Sequence, residues 1–187
     1  MLDIVHVSHS FIYVNMDVDK QFEKYGEDTP EFSLVGTEMY ARLIALHDGD
    51  TCKLILPVGG NYYKFAVRMN GLDTPEMTSK DPRAKALARK ARDRHFELAT
   101  GQALAPSTND AVESAKKKSI KSYLESNIAV VWVKCGELDR YGRPLVDIRK
   151  TKDGRTFTEI LLEEKLAYEY GGKTKLGEAE QVAALDG

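Results

Sequence analysis

The chain has 187 residues, of which 42% are hydrophobic and 30% charged, and a net charge of −2 at pH 7. That length can bury a core as one domain with appendages, and no apolar run approaches the ~18–20 residues that a membrane span needs. Cys52 and Cys135 are far apart and lack any Cys-x-x-Cys context, so they read as buried thiols rather than a disulfide or zinc site.

The charge is unevenly spread. Residues 1–40 carry eight Asp and Glu against Lys20 and Lys24, whereas residues 80–121 carry eleven Lys and Arg against five Asp and Glu. Such asymmetry allows a polyanion-binding face on a nearly neutral protein; two solvated helix faces and an acidic leader account for it equally well. Residues 1–16 have no basic n-region and no continuous apolar h-region, which predicts no secretory signal and an intracellular protein.

Residues 1–36 read as an N-terminal extension of unknown role, with a short strand at Phe11–Val14 and a short helix over Asp17–Tyr25. His6 and His9 have a metal-compatible spacing, but nothing nearby supplies further ligands. Glu38–Leu46 alternates and predicts the first strand of the main sheet. Cys52–Pro57 and Tyr62–Met69 follow, joined by Val58-Gly59-Gly60-Asn61, a hairpin signature. Asp73-Thr74-Pro75-Glu76 is expected to leave the sheet as a loop, because Pro75 has no donor to give it.

Asp81–Thr100 predicts a helix, with Asp81-Pro82 as cap and first turn and Ala84, Leu87, Ala88, Ala91, Leu98 and Ala99 as its apolar stripe. Residues 101–125, a loop and a Lys-rich helix from Asp110, read as a helical insertion. Ile128–Val133 is the clearest buried strand, Leu145–Ile148 another, and Thr156-x-x-Glu159 a capping box opening a helix to about Lys165. Residues 175–187 form a polar tail, with a short helix at Glu178–Leu185. Five strands grouped three and two, interleaved with about three packed helices, predict an α+β, mainly β fold: a five-stranded Greek-key barrel of the OB type over residues 37–174.

The chemistry concentrates between His47 and Glu76. A hairpin entered after Asp50 and left before Asp73 places both carboxylates at one end. Two carboxylates, a carbonyl such as that of Thr74, and waters are what a hard cation such as Ca²⁺ requires. Glu76 is offset enough to hold a water beside the metal. Arg68 and Arg143 are candidate phosphate clamps, because a guanidinium fork matches phosphate oxygens and keeps its charge. Tyr168 and Tyr170 are placed to stack on a base or hydrogen-bond the sugar-phosphate. His47, beside the acidic turn, reads as an exposed or packed imidazole rather than a base. Taken singly, each phrase is an ordinary turn or helix start; the conjunction in this order is what points to phosphodiester cleavage.

Asp48-Gly49-Asp50-Thr51, Val67-Arg68 with Gly71-Leu72-Asp73-Thr74-Pro75-Glu76, Asp139-x-Tyr141-Gly142-Arg143, and Leu166-Ala167-Tyr168-x-Tyr170 together resemble the staphylococcal nuclease (thermonuclease) family over residues 38–174. The resemblance implies an OB-type barrel with attached helices, a single Ca²⁺, and hydrolysis of DNA or RNA, single-stranded or frayed, at the P–O5′ bond to leave 3′-phosphate ends. It implies that Asp50, Asp73 and the Thr74 carbonyl bind the metal, that Glu76 positions the water, and that Arg68 and Arg143 grip phosphate. Tyr141, Tyr168 and Tyr170 match positions lining the nucleotide pocket, and Arg140 keeps a cation where the family often has lysine. The chain departs from the family in residues 1–36, in the 101–125 insertion, and in a tail without the Trp-bearing C-terminal helix of the secreted enzymes. Its ending looks more like intracellular, bacterial or viral relatives. The expected protein is a monomeric nuclease without a membrane partner. The alternative is a non-catalytic nucleic-acid-binding OB module, which has no need of the acidic trio because carboxylates repel phosphate unless a cation intervenes.

Overall fold

The computed structural model describes residues 18–105 and 109–185; the expectations for His6, His9 and a strand at Phe11–Val14 fall outside them. The chain divides into two units, residues 1–33 and 34–187. In the first, a helix over residues 18–22 ends in a turn closed by the Tyr25 N–H donating to the Phe22 carbonyl at 2.9 Å.

The second unit is built on a closed barrel of β1 (Glu38–Leu46), β2 (Thr51–Val58), β3 (Asn61–Met69), β5 (Ala129–Leu138) and β6 (Pro144–Arg149), in the order β1-β2-β3-β6-β5. Alternation along each strand sends Ala41 and Leu43, Cys52, Leu54 and Leu56, Val67 and Met69, Val131, Val133 and Cys135, and Val146 and Ile148 into one core. Four of the five pairings are antiparallel; β3 and β6 run parallel, Arg68 facing Leu145 and Met69 facing Val146. That short parallel contact closes the barrel. An α+β fold with a closed five-stranded barrel is therefore observed. Both cysteines are free and buried, as expected.

Two features depart from the predicted elements. Leu72–Asp73 (β4) does not simply leave the sheet: it pairs antiparallel with Tyr168–Glu169 (β7), Asp73 facing Tyr168. Two-residue strands carry no periodicity, so no sequence pattern announces them. The predicted tail is also part of the fold. Its helix α4 (Glu178–Leu185) buries Val182 and Leu185 against Ala84, Leu87 and Tyr168.

Helix α1 (Pro82–Thr100) starts as predicted: the Asp81 carboxylate accepts from the N–H groups of Arg83 and Ala84, and Pro82 fills the first turn. It stops where Gly101 adopts a left-handed φ of 75° and its N–H donates to the Glu97 carbonyl. Its apolar face is Ala84, Leu87, Ala88, Ala91, Phe96 and Ala99. Helix α2 (Asp110–Ser126) buries only Lys116, Ile120 and Leu124, and α3 (Phe157–Glu163) opens on the predicted reciprocal Thr156–Glu159 capping box. Among the described residues no helix is long and apolar enough to cross a membrane.

Part of the basic stretch 80–121 resolves into internal ion pairs, while Lys80, Lys90, Lys117 and Lys118 are exposed. Arg92 bonds Asp93 and Glu113, Lys116 bonds Asp93 at 2.7 Å, Arg89 bonds Asp110, and Arg94 bonds Glu97 at 2.9 Å and Glu164 at 2.6 Å. The Arg92 and Lys116 side chains are 3% and 5% exposed, so these cations clamp α2 onto α1 and face no polyanion.

Candidate functional site

Three local structures meet at one end of the barrel. The first is the β1–β2 turn, Asp48-Gly49-Asp50. The Asp48 Oδ1 caps it, accepting from the Asp50 N–H at 3.1 Å and the Thr51 N–H at 2.7 Å. Helix α1 presses on the same turn. A Cβ on Gly49 would lie 2.7 Å from Ala91 Cβ and 2.8 Å from Thr74 Cγ2, so only glycine lets helix, turn and Thr74 approach this closely. His95, wholly buried one helical turn beyond Ala91, puts Nδ1 3.1 Å from the Gly49 carbonyl. A carbonyl only accepts, so Nδ1 carries the proton in the neutral ring. Burial holds this imidazole neutral, with its pKa lowered from 6.5 to about 4.

The second is the end of β3 with β4. Asp50 is 2% exposed and Asp73 is fully buried, and Arg68 lies between them. Its Nη1 is 2.8 Å from Asp50 Oδ2, and its Nη2 bonds Asp73 Oδ1 and the Leu72 carbonyl. Tyr168 donates its hydroxyl to Asp73 Oδ2, and Lys175 Nζ is 2.9 Å from Asp73 Oδ1. Burial opposes charge on Asp73, but the bonds from Tyr168, Arg68 and Lys175 outweigh it and hold the carboxyl below the ordinary aspartate range. Asp50 behaves oppositely. Burial and then the neighbouring Asp48 charge push it well above that range, with Arg68 offsetting only part. Among the described residues no donor is aligned for a hydrogen bond to Asp50 Oδ2.

The third is the β5–β6 turn. Asp139 organises it, taking the N–H groups of Tyr141 and Arg143 on Oδ1, each at 2.9 Å, while Gly142 supplies a φ of 76°. The Arg143 guanidinium rests on Asp139 Oδ2 at 2.7 Å. Tyr141, 68% exposed, has Arg140 and Arg143 guanidinium carbons 4.8 Å and 5.4 Å from its ring centre.

Between these parts lies a cleft of ≈ 590 Å³ lined by Arg68, Glu76, Arg140, Tyr141, Arg143 and Tyr170 together with Lys175. Of the expected site residues, Arg68, Glu76, Arg140, Tyr141, Arg143 and Tyr170 therefore meet in one space. Asp50, Asp73 and Thr74 are buried and do not line it; Asp50 and Asp73 connect to it through Arg68. Tyr170 lies beside Arg68, whose guanidinium carbon is 5.6 Å from the ring centre. His47 is at the rim with its side chain 77% exposed, as expected, and its Nε2 4.0 Å from Asp48 Oδ2.

Two residues take different places from those expected. Tyr168 does not line the cleft. It is 8% exposed and braces Asp73 from below, because β7 pairs with β4 and turns its side chain toward the core. Arg68, expected to grip phosphate, is committed to Asp50, Asp73 and Leu72. It serves first as the counter-cation of the aspartates, and what it offers the cleft is a partly satisfied fork.

The donor set bears on the expected cation. Among the described residues no three His, Cys, Asp or Glu side chains gather closely enough to form a metal group by themselves. Asp50 and Asp73 meet on the Arg68 guanidinium between them, and among the described residues no donor is aligned on the buried Asp50 Oδ2. That fits a hard cation completed by main-chain oxygen and water.

Sequence reasoning missed Asp48, Gly49, His95, Asp139 and Lys175. His95 had a signal, a polar ring within the α1 apolar stripe, and Asp139 had the Asp-x-x-Gly form of a side-chain-capped turn. Lys175 had none, since its partners are Asp73 and Glu76, 102 and 99 positions away. No protein-family model matches this chain, and no curated protein matches it.

Proposed function

We propose that this protein is a Ca²⁺-dependent nuclease of the staphylococcal nuclease type, built on an OB-type Greek-key barrel. On this reading it hydrolyses DNA or RNA at the P–O5′ bond. The observation that carries the proposal is a single cleft holding Arg68, Glu76, Tyr141 and Arg143 above a buried Asp50–Arg68–Asp73 bridge.

Bound at Asp50, Asp73 and the Thr74 carbonyl, Ca²⁺ would offset charge on a non-bridging phosphate oxygen. The chain's own groups do the rest. Tyr141, and Tyr170 beside Arg68, present ring faces and a hydroxyl to the flanking nucleotide. Arg143, poised on Asp139 at the cleft wall, donates to the equatorial oxygens as negative charge builds there. Glu76, with its side chain 53% exposed, aligns a water for in-line attack and takes its proton. The new P–O bond forms as P–O5′ breaks. The 5′-oxygen leaves and takes up a proton, and phosphate stays on the 3′ side.

The test is cleavage of a labelled single-stranded oligonucleotide with Ca²⁺ or with EGTA. The expected result is cutting in Ca²⁺ alone, reduced ~10²–10³-fold in Arg143→Ala and comparably in Glu76→Gln, with melting temperatures unchanged. Binding without cutting by the wild type under any divalent ion would refute the nuclease and establish the OB binding module instead.

A further inference from the structure

Lys175 belongs to none of the motifs, yet it joins two of the site's carboxylates. Its Nζ is 2.9 Å from Asp73 Oδ1 and 3.0 Å from Glu76 Oε1. The segment that delivers it is anchored on both sides. Before it, β7 pairs with β4, the Tyr170 N–H donates to the Gly71 carbonyl at 3.0 Å, and the Tyr170 hydroxyl donates to the Lys173 carbonyl at 2.8 Å. After it, the Ser79 hydroxyl donates to Glu178 at 2.8 Å, and Val182 and Leu185 pack on Ala84 and Leu87. The Lys175 side chain is 38% exposed, but the two anchors fix the backbone that carries it, and its Nζ meets a carboxylate, Asp73, that is itself buried.

We propose that Lys175 is the resident cation of the site. It bridges Asp73 to Glu76 in the metal-free protein and leaves them when a divalent cation binds, which frees its ammonium for the substrate phosphate. The inference rests on the nuclease reading above. Asp73 Oδ1 is the oxygen that Lys175 and Arg68 share, and the reading gives the same carboxylate to the metal. An ammonium and a divalent ion on one carboxylate oxygen repel strongly at such separations, so the two occupy it in turn. The bridge also has a use while it lasts. Glu76 is the exposed member of the acidic trio, and Lys175 holds it beside the buried Asp73, so the water-positioning carboxylate is aimed before the metal arrives. Once released, Lys175 remains within the cleft that also holds Arg143.

The exchange is tested by Ca²⁺ binding without substrate. Calorimetric titrations of wild type, Lys175→Met and Lys175→Arg would be run beside thermal melts. Removing the competing charge should tighten Ca²⁺ binding about tenfold or more in Lys175→Met, while Lys175→Arg stays near wild type. In the wild type, the Lys175 side-chain amine resonance should shift on Ca²⁺ addition. Equal or weaker Ca²⁺ affinity in a folded Lys175→Met, or an amine resonance indifferent to Ca²⁺, overturns the exchange and leaves the nuclease assignment standing. Absence of Ca²⁺ binding in all three proteins overturns the exchange and the metal assignment together.

Discussion

His95 ties the stability of this protein to pH through a group that touches neither solvent nor substrate. Its ring is wholly buried, edge-on to Phe157 at 5.8 Å, and Nδ1 donates to the Gly49 carbonyl. Burial lowers its pKa from 6.5 to about 4. The sign follows from proton counting. Below about pH 6.5 the unfolded chain binds a proton here that the folded chain refuses until about pH 4, so the folded state loses stability as pH falls through that window. At one pKa unit per ~1.4 kcal/mol, going from about pH 7.5 to about pH 5 should cost about 2 kcal/mol from this residue alone. Other groups titrate over the same range, so the assay is a difference: urea unfolding of wild type and His95→Gln at both pH values. Glutamine keeps an N–H donor and cannot titrate. The variant should be less stable near neutrality, yet its stability should fall by about 2 kcal/mol less than wild type on acidification. An equal fall in both proteins would refute the buried neutral imidazole.

Gly49→Ala drives a methyl group to 2.7 Å from Ala91 Cβ and 2.8 Å from Thr74 Cγ2. It should cost about 1–3 kcal/mol in denaturant unfolding and weaken Ca²⁺ binding measured by calorimetry, because helix and turn must separate. Tyr168→Phe removes a donor from the buried Asp73 and should lower stability by about 1–2 kcal/mol without changing oligonucleotide affinity in a fluorescence titration. Tyr141→Ala should do the reverse: stability within about 0.5 kcal/mol of wild type, and weaker oligonucleotide binding.

Much of the barrel was legible in the sequence because its signals are local. The alternation of Glu38–Leu46, the Gly59-Gly60-Asn61 turn, the Asp81-Pro82 start of α1 and the Thr156–Glu159 capping box each settle their own element. The site was legible to the extent that its residues lie in short phrases. Asp50, Asp73, Glu76, Arg68 and Arg143 do converge, and the cleft holds Tyr141 and Tyr170. What failed to show was whatever depends on distant partners. The parallel β3–β6 contact, the Asp73–Tyr168 register and the Lys175 bridge join segments some 75 to 100 positions apart, and nothing in either segment names the other. The basic stretch left two readings open, and for Arg89, Arg92, Arg94 and Lys116 the structure decides, since Asp93, Asp110, Glu113 and Glu164 answer them.

The parallel β3–β6 contact also orders events in time. The β1–β2–β3 meander is made of neighbouring segments and can form as soon as residue 69 is available. Closure of the barrel must wait for β6, with both long helices intervening, and contacts of such separation form slowly and late. The site waits longer still. Asp73 acquires its Tyr168 and Lys175 partners only from residues synthesised 95 and 102 positions after it. A nascent chain therefore carries Asp50, Arg68 and Asp73 through that interval without the partners that complete their arrangement.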